Sequence, residues 1–476
     1  MDYEAVIGLE THVQLKTKSK MWCGCANEFG APPNTHVCPV CLGLPGVLPV
    51  ANDEALRLTA LTGLLLNCTV ARFAKFDRKN YFYPDMPKNY QVTQYDRPST
   101  LNGHVDFEFN GGLARVRITR AHLEEDVGKN FHFERQSGVD FNRAGVPLME
   151  IVSEPDLRGA EMAYEYLNAL KDILVYGGVS DCDMEKGMVR CDVNVSVRPQ
   201  GQTELGAKIE IKNMNSFSGV RKALEYEIPR QIQVLRQGGT LVQSTRRWDD
   251  ASGATEEMRT KEHAHDYRYF PEPDLMPFEP TEPWLAAVKK RVVELPLARK
   301  QRFIRDYQLP APDAQAFVWD VPLGDYFEGL ARQAKSPKAA ANWVINNLRA
   351  KMTESRTGLP DLKFKAAGIL ELIDLVESGR ISTRIAQEVF AEMFASGEMP
   401  ARIVEKKGLA QVSDTAAIEK LCDEVIAANP GPAADFKAGK AAALNFLKGQ
   451  VMKLSKGKAN PALAGEVLER KLRGSC

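Results

Sequence analysis

The sequence predicts an α+β fold: an N-terminal domain on a mixed, largely antiparallel β-sheet with helices, followed by an all-α domain and a small all-α tail. Three observations carry this. Short alternating runs with Gly turns and Pro punctuation fill the chain from residue 1 to about 290. Between Pro271 and Pro283 it turns proline-dense and loses periodicity, the mark of a domain edge. Beyond Trp284 helical patterning takes over, and a shift to Ala-, Lys- and Gly-rich sequence follows Lys406-Lys-Gly408. The expected division is 1–292, 293–407 and 408–476.

Four segments of the first domain alternate alike, one side aliphatic and the other polar. Ile7-Gly-Leu-Glu-Thr-His-Val-Gln-Leu15 puts Glu10, His12 and Gln14 opposite Leu9, Val13 and Leu15. Pro147-Leu-Met-Glu-Ile-Val152 carries one acid, Glu150, in an apolar run. Cys191-Asp-Val-Asn-Val-Ser-Val197 turns Asp192, Asn194 and Ser196 away from its valines, and Ala207-Lys-Ile-Glu-Ile-Lys-Asn213 separates Lys208, Glu210 and Lys212 from two isoleucines. Strand side chains alternate with period two, so each segment has a core face and a polar face. Each alone also fits a half-exposed antiparallel strand. Mixed acids, a His and paired Lys suit metal and phosphate chemistry better than mere solubility.

Val105-Asp-Phe-Glu-Phe109, turned by Asn110-Gly-Gly112 into Leu113-Ala-Arg-Val-Arg-Ile-Thr119, predicts a hairpin. Amphipathic patterning predicts helices over 160–176 and 219–236. In the second domain it predicts helices over 285–294, 298–307, 338–351, 365–378 and 382–395, with further helices in the tail around Gly439–Leu447 and Lys453–Lys458.

Bulk composition limits the function classes. A chain of 476 residues, 44% hydrophobic and 26% charged, is a soluble globular protein of more than one domain. Lys and Arg total 62, as do Asp and Glu, so no global field draws it to nucleic acid or membranes. The N-terminus has no signal-peptide pattern, and apolar runs such as Leu61–Leu66 are too short to span a bilayer. Nine cysteines in such a chain point to a reducing cytosol and a cytoplasmic location.

Cys23-Gly-Cys25 and Cys38-Pro-Val-Cys41 form two close pairs, a pattern that suits a tetrahedral structural Zn²⁺. The remaining cysteines, Cys68, Cys182, Cys191, Cys422 and Cys476, are expected to be free thiols. The stretch from Phe76 to Asp96 is dense in aromatic and charged residues, with Asp77, Arg78, Lys79, Asp85 and Lys88, and suits a nucleotide or a phosphorylated group; an ordered surface loop is the other reading. His122-Leu-Glu-Glu-Asp126 ends a strand with three consecutive acids, which repel one another unless a cation or base intervenes. With Glu10, His12 and Glu150 they make a divalent-metal site if the strands converge. There is no Walker A sequence, nucleophile elbow or dinucleotide fingerprint.

Together these segments resemble the B-subunit family of the tRNA-dependent glutamyl/aspartyl amidotransferases. The resemblance rests on Ile7-Gly-Leu-Glu10 with His12, Lys79-Asn-Tyr-Phe-Tyr-Pro-Asp85, His122–Asp126, Asn142-Arg-Ala-Gly-Val-Pro-Leu148 and Glu150-Ile-Val-Ser-Glu-Pro-Asp156. It extends to Arg190-Cys-Asp-Val-Asn194, Glu210-Ile-Lys-Asn213 and Asp266-Tyr-Arg-Tyr-Phe-Pro-Glu-Pro-Asp274, and the end of the chain, with Gly449-Gln-Val-Met452 and Lys456-Gly-Lys-Ala-Asn-Pro461, resembles the family's YqeY-like tail.

The resemblance implies a ligase subunit that uses ATP to phosphorylate the Glu or Asp carboxylate mischarged on tRNA(Gln) or tRNA(Asn). Ammonia from a glutaminase A subunit then displaces the phosphate, and a small C subunit completes the heterotrimer. It implies Mg²⁺ on His12, Glu125 and Glu150, with Glu10 as a further ligand or neighbour; whether Glu124 or Glu125 points inward depends on a one-residue register. Asp192, Lys208, Glu210 and Lys212, with Tyr81 and Lys88 of the aromatic stretch, would line the ATP and acyl pocket. Lys79 and Glu125 would stand near the ammonia exit, and Lys448, Lys453, Lys456 and Lys458 would meet tRNA phosphates. The rival reading is a non-catalytic, zinc-containing tRNA-binding protein, to which the many acids on the polar faces are ill suited. No amidase signature appears, so the chain alone should not hydrolyse glutamine.

Overall fold

A computed structural model describes residues 2–214, 216–260, 267–410, 415–455 and 459–474. The chain forms two compact units, residues 1–298 and 299–476. The first holds fourteen strands among its described residues: β1 (Tyr3–Gln14), β2 (Thr69–Val70), β3 (Asp77–Asn80), β4 (Tyr90–Thr93), β5 (Thr100–Phe109), β6 (Gly112–Glu125), β7 (Lys129–His132), β8 (Ser137–Asp140), β9 (Pro147–Ser153), β10 (Val189–Pro199), β11 (Ile209–Met214), β12 (Ser244–Asp249), β13 (Ala254–Thr260) and β14 (Phe270–Pro271). Its helices are α1 (Asp53–Leu65), α2 (Ala160–Tyr176), α3 (Phe217–Arg236) and α4 (Glu282–Lys289).

Nine strands form one sheet in the order β13-β12-β11-β10-β1-β9-β6-β5-β2, with β1 at its centre. Every neighbouring pair is antiparallel except β11–β12, which makes the sheet mixed, as the sequence predicts. A smaller sheet runs β14-β3-β4, and β7 and β8 form a two-stranded sheet. The β5–β6 hairpin turns through Asn110 and Gly111 at φ +50° and +76°, the left-handed pair that Asn-Gly adopts readily.

The aliphatic sides of the strands meet the helices. Ile7, Leu9 and Val13 of β1 and Val193 and Val195 of β10 are buried in one cluster with Leu61 of α1, Leu167 and Leu170 of α2 and Val220 and Leu224 of α3. Each such side chain, fully buried, is worth about 1.5–3 kcal/mol. Helices thus take one face of the sheet and leave the other to Glu10, His12 and their neighbours. The α1 helix starts at Asn52, whose side chain accepts from the Glu54 and Ala55 amides and donates to the Ser19 and Lys20 carbonyls, tying it to the cysteine-bearing loop.

The second unit is helical: α5 (Pro296–Tyr307), α6 (Ala311–Trp319), α7 (Val321–Ala331), α8 (Pro337–Asn342), a π-helical segment Trp343–Leu348, α9 (Arg349–Ser355), α10 (Ala366–Glu377), α11 (Thr383–Ser396), α12 (Pro400–Lys406), α13 (Thr415–Ala428), α14 (Pro430–Lys437), α15 (Ala442–Leu454) and α16 (Pro461–Arg473). It contains two apolar clusters, one from Phe303 to Val404 and one from Ile418 to Leu472. Among the described residues no helix is long and apolar enough to cross a membrane.

Candidate active site

Register brings the polar residues of the first domain into rows. Across the sheet His122 of β6 pairs with Glu150 of β9, Glu150 with His12 of β1, and His12 with Arg190 of β10. One step along β1, Glu10 pairs with Asp192, and Asn194 pairs with Glu210 of β11. The four segments that alternate in the sequence therefore share one sheet and one face.

At its centre His12 Nε2 lies 3.5 Å from Glu124 Oε1 and 3.8 Å from Glu150 Oε2, while His122 Nε2 is 3.4 Å from Glu150. His12, Glu124 and Glu150 can each turn a ligand atom to one point. Among the described residues neither acid has a lysine or arginine at ion-pair distance. Burial, then the charge of Glu150, pushes the Glu124 carboxyl up to about 8. Burial, then Glu10, raises Glu150 to about 7. Burial also drives His12 down to about 4 although Asp192 opposes it, and holds His122 neutral. A buried neutral imidazole between two carboxyls short of countercharge is a donor set that suits a divalent cation.

The three consecutive acids part three ways. Glu124 faces His12. Glu125, expected from the resemblance to hold the metal, lies on the other side of β6, where Lys88 Nζ and the Val92 amide bind its Oε1. Successive strand residues alternate sides, so only one of the two reaches the histidine, and it is Glu124. Asp126 is held by Arg190 at 2.8 Å, Gln14 at 2.9 Å and Arg143 at 3.7 Å. Burial works against its charge, but these partners keep its carboxyl below the usual range.

Glu10, Asp192 and Glu210 form a second group, served by a base. Lys212 Nζ lies 2.7 Å from Asp192 and 3.1 Å from Glu210; Asn194 donates to Glu10 at 2.9 Å and Thr245 to Glu210 at 2.8 Å. Burial disfavours the Lys212 charge, yet Asp192 and Glu210 more than restore it, so the ammonium is firmly held. Lys208 lines a cavity of about 200 Å³ beside this group, with Gly8, Glu10 and Asn194. Lys79 of β3 lies 4.9 Å over the Tyr267 ring; burial lowers its pKa, but Glu124, the tyrosines and Glu150 raise it on balance. Tyr81 stacks on Tyr83 at 5.8 Å, and Lys88 serves Glu125.

Cys23, Cys25, Cys38 and Cys41 can place their sulfurs within 4.8 Å of one another, and Cys38 and Cys41 are 3.9 Å apart. Tetrahedral zinc at ~2.3 Å from each sulfur requires edges of ~3.8 Å, so the quartet fits. A hydrogen bond from Cys23, opposed by burial and helped by the Cys38 amide and Lys20, brings the Cys41 thiol down to about 4. In the second unit the Lys448 stem crosses Gly465 of α16, and Lys453 lies in the last turn of α15. Lys456 and Lys458 lie outside the described residues.

Sequence reasoning missed His122 as a neighbour of Glu150, and Arg190 and Arg143 as the anchors of Asp126. Parity could have found Arg190, which stands two residues before Asp192 on the same face of β10. Arg143 comes from a loop, and no periodicity marks it.

Fold and site define a class: a two-unit α+β chain whose central sheet carries a half-buried His–Glu–Glu set beside a lysine-bearing acid group, followed by a helical region. Residues 5–286 match the GatB/GatE catalytic domain, and residues 325–472 match the GatB domain. Over 474 residues the chain is 52% identical to the B subunit of the aspartyl/glutamyl-tRNA(Asn/Gln) amidotransferase of Thermoanaerobacter sp. (strain X514), covering 99% of this chain and 100% of that one. The B subunits of the same name from Carboxydothermus hydrogenoformans and Brevibacillus brevis are 52% and 50% identical, with 99% of each chain covered. The chain belongs to the GatB family, a family of amidotransferase subunits.

Proposed function

We propose that this chain activates the side-chain carboxylate of Glu or Asp mischarged on tRNA(Gln) or tRNA(Asn) at the expense of ATP, and presents it to ammonia. The observation that supports this most is the His12–Glu124–Glu150 set, half-buried around a buried Glu124 and short of positive charge at the centre of a polar sheet face. These three residues would hold Mg²⁺, with Glu10 beside them and Glu124 taking the role the resemblance gives to Glu125. Mg²⁺, when bound, neutralises charge on the phosphoryl oxygens.

A carboxylate oxygen attacks the terminal phosphorus of ATP, and ADP leaves. The acyl-phosphate so formed loses phosphate when ammonia attacks its carbon. Little covalent chemistry falls to the protein, so positioning and charge carry the rate. Lys208 and Lys212 are suited to phosphate oxygens, with Asp192 and Glu210 holding Lys212 in place. Lys79, drawn towards Glu124 and Glu150, is suited to orient the reacting carboxylate. Lys79 and Glu125 would stand near the ammonia exit, with Glu125, which Lys88 binds on the other face of β6, taking the extra proton. Ammonia comes from a glutaminase A subunit, with a small C subunit completing the heterotrimer in the cytoplasm. The cysteine quartet would hold a structural Zn²⁺. Residues 408–476 form a tail that grips tRNA through Lys448, Lys453, Lys456 and Lys458.

The test uses the complex with its partner subunits, ammonium chloride, ATP, Mg²⁺ and mischarged tRNA. Amidated aminoacyl-tRNA should form, and Glu150→Gln should cut ATP consumption about 10²–10³-fold while tRNA affinity changes little. Undiminished turnover in that variant would overturn the assignment.

A further inference from the structure

The aromatic stretch contributes rings that the phosphoryl chemistry leaves unused. Tyr95, just beyond β4, stacks on Tyr269 with centroids 4.1 Å apart and planes 10° from parallel. Tyr269 meets Tyr267 edge-on at 5.9 Å, and Lys79 lies over Tyr267. Tyr269 is close enough to feel the charges of Lys79, Glu150 and Glu124. The rings thus run outward from the acids to Tyr95, which is 51% exposed.

Both halves of the stack are clamped. The Tyr95 amide donates to Asp77 Oδ2 at 3.1 Å, and Arg120 Nη1 donates to the Tyr95 carbonyl at 3.2 Å. Across from it, Asn80 donates through its amide and Nδ2 to the Tyr267 carbonyl, both at 3.0 Å, and through Nδ2 to the Arg268 carbonyl at 2.8 Å. These bonds flank Arg268 at φ +44°, a left-handed conformation that arginine seldom adopts and that tends to persist where function needs it. The Arg120 Nε–H is buried and has no hydrogen-bond partner among the described residues.

We infer that the Tyr95–Tyr269 stack seats the unpaired 3′-terminal base of the aminoacyl-tRNA, with Arg120 beside it as a phosphate donor. This rests on the proposed reaction. An amino acid on tRNA is esterified to the terminal ribose of a single strand, so a carboxylate held near Glu124 and Glu150 brings the terminal base within a nucleotide's length. An unpaired base is held by its π-face, which an exposed ring with a covered back supplies without sequence readout. The sheet order separates this seat from the nucleotide end. Arg120 lies on β6, two strands from β1 on one side; Lys212 lies on β11, two strands from β1 on the other, and Lys208 just precedes that strand. Tyr95, Tyr269 and Arg120 are positioning residues.

The experiment uses the intact complex with ammonium chloride as nitrogen donor. Tyr95→Leu should raise the KM for mischarged tRNA about tenfold, while the KM for ATP and the unfolding temperature stay put. Tyr95→Phe, which keeps the ring face, should restore the tRNA KM. A tRNA ending in 2-aminopurine should be quenched on binding the wild-type complex. An unchanged tRNA KM in Tyr95→Leu, a rise confined to the ATP KM, or absence of quenching in the wild type would overturn the seat. If the wild type amidates no tRNA at all, it is the underlying reaction that fails.

Discussion

Glu124 and Asp126 stand two residues apart at the end of β6, each 3% exposed, and their carboxyls are pushed in opposite directions. Burial opposes charge on both. At Asp126 the Arg190 and Arg143 guanidiniums and the Gln14 amide overcome it. At Glu124 the next largest influence is another acid, Glu150, and the carboxyl rises to about 8. The end of β6 thus holds one acid paired with arginines and one that, among the described residues, has no lysine or arginine at ion-pair distance. The first is a structural clamp between β6, β10 and the Arg143 loop. The second, with Glu150, is a site that a divalent cation would complete.

The largest expected effect comes from breaking the clamp. Asp126→Asn removes the carboxylate that binds Arg190 and Arg143 and should cost about 3 kcal/mol of folding stability, at the low end for a buried pair because Arg190 keeps contact with water. Denaturant unfolding checks this, and the wild-type midpoint would equate the two acids.

Next comes pH. Glu124 and Glu150 must lose protons to bind a metal, so divalent affinity should climb up to about a hundredfold per pH unit below pH 7, about tenfold between pH 7 and 8, and level off above about 8. Mn²⁺ titration calorimetry at several pH values checks this. Stability of the metal-free chain runs the other way. Carboxyls whose folded pKa is raised favour the folded state while protonated, and that contribution is lost as pH rises from about 4.5 to about 8. Asp126, with its lowered pKa, contributes fully above the unfolded value and loses its contribution as pH falls through the folded one.

The smallest effect sharpens the contrast. Glu124→Gln removes the acid that burial penalises and should stabilise the metal-free chain by about 1 kcal/mol at pH 8. A loss as large as that from Asp126→Asn would mean that Glu124 also has a countercharge.

Much of this was legible before the fold was known. Period-two alternation identified the core and site faces of β1, β9, β10 and β11, and Asn-Gly marked the β5–β6 turn. The α2 helix, with one apolar stripe, follows its predicted range. The α1 helix was not foreseen because it is buried on nearly every side, from Ala55 to Leu65, and shows no amphipathic period. Short α6 and α7, which meet at Asp320, escaped for want of length. Within the site, composition indicated that His122–Asp126 needs cations. It could not say which acid meets which cation, because a single step of register exchanges Glu124 for Glu125. Nor does sequence reveal that Tyr95 and Tyr269, far apart in the chain, lie face to face.

The central claim is that Glu124, with His12 and Glu150, holds the metal. The most direct measurement is Mn²⁺ affinity of the complex at pH 8 for wild type, Glu124→Gln and Glu125→Gln. Loss of binding in Glu124→Gln with affinity retained in Glu125→Gln is the expected result. Retention in Glu124→Gln with loss in Glu125→Gln would contradict it and move the site to the other face of β6.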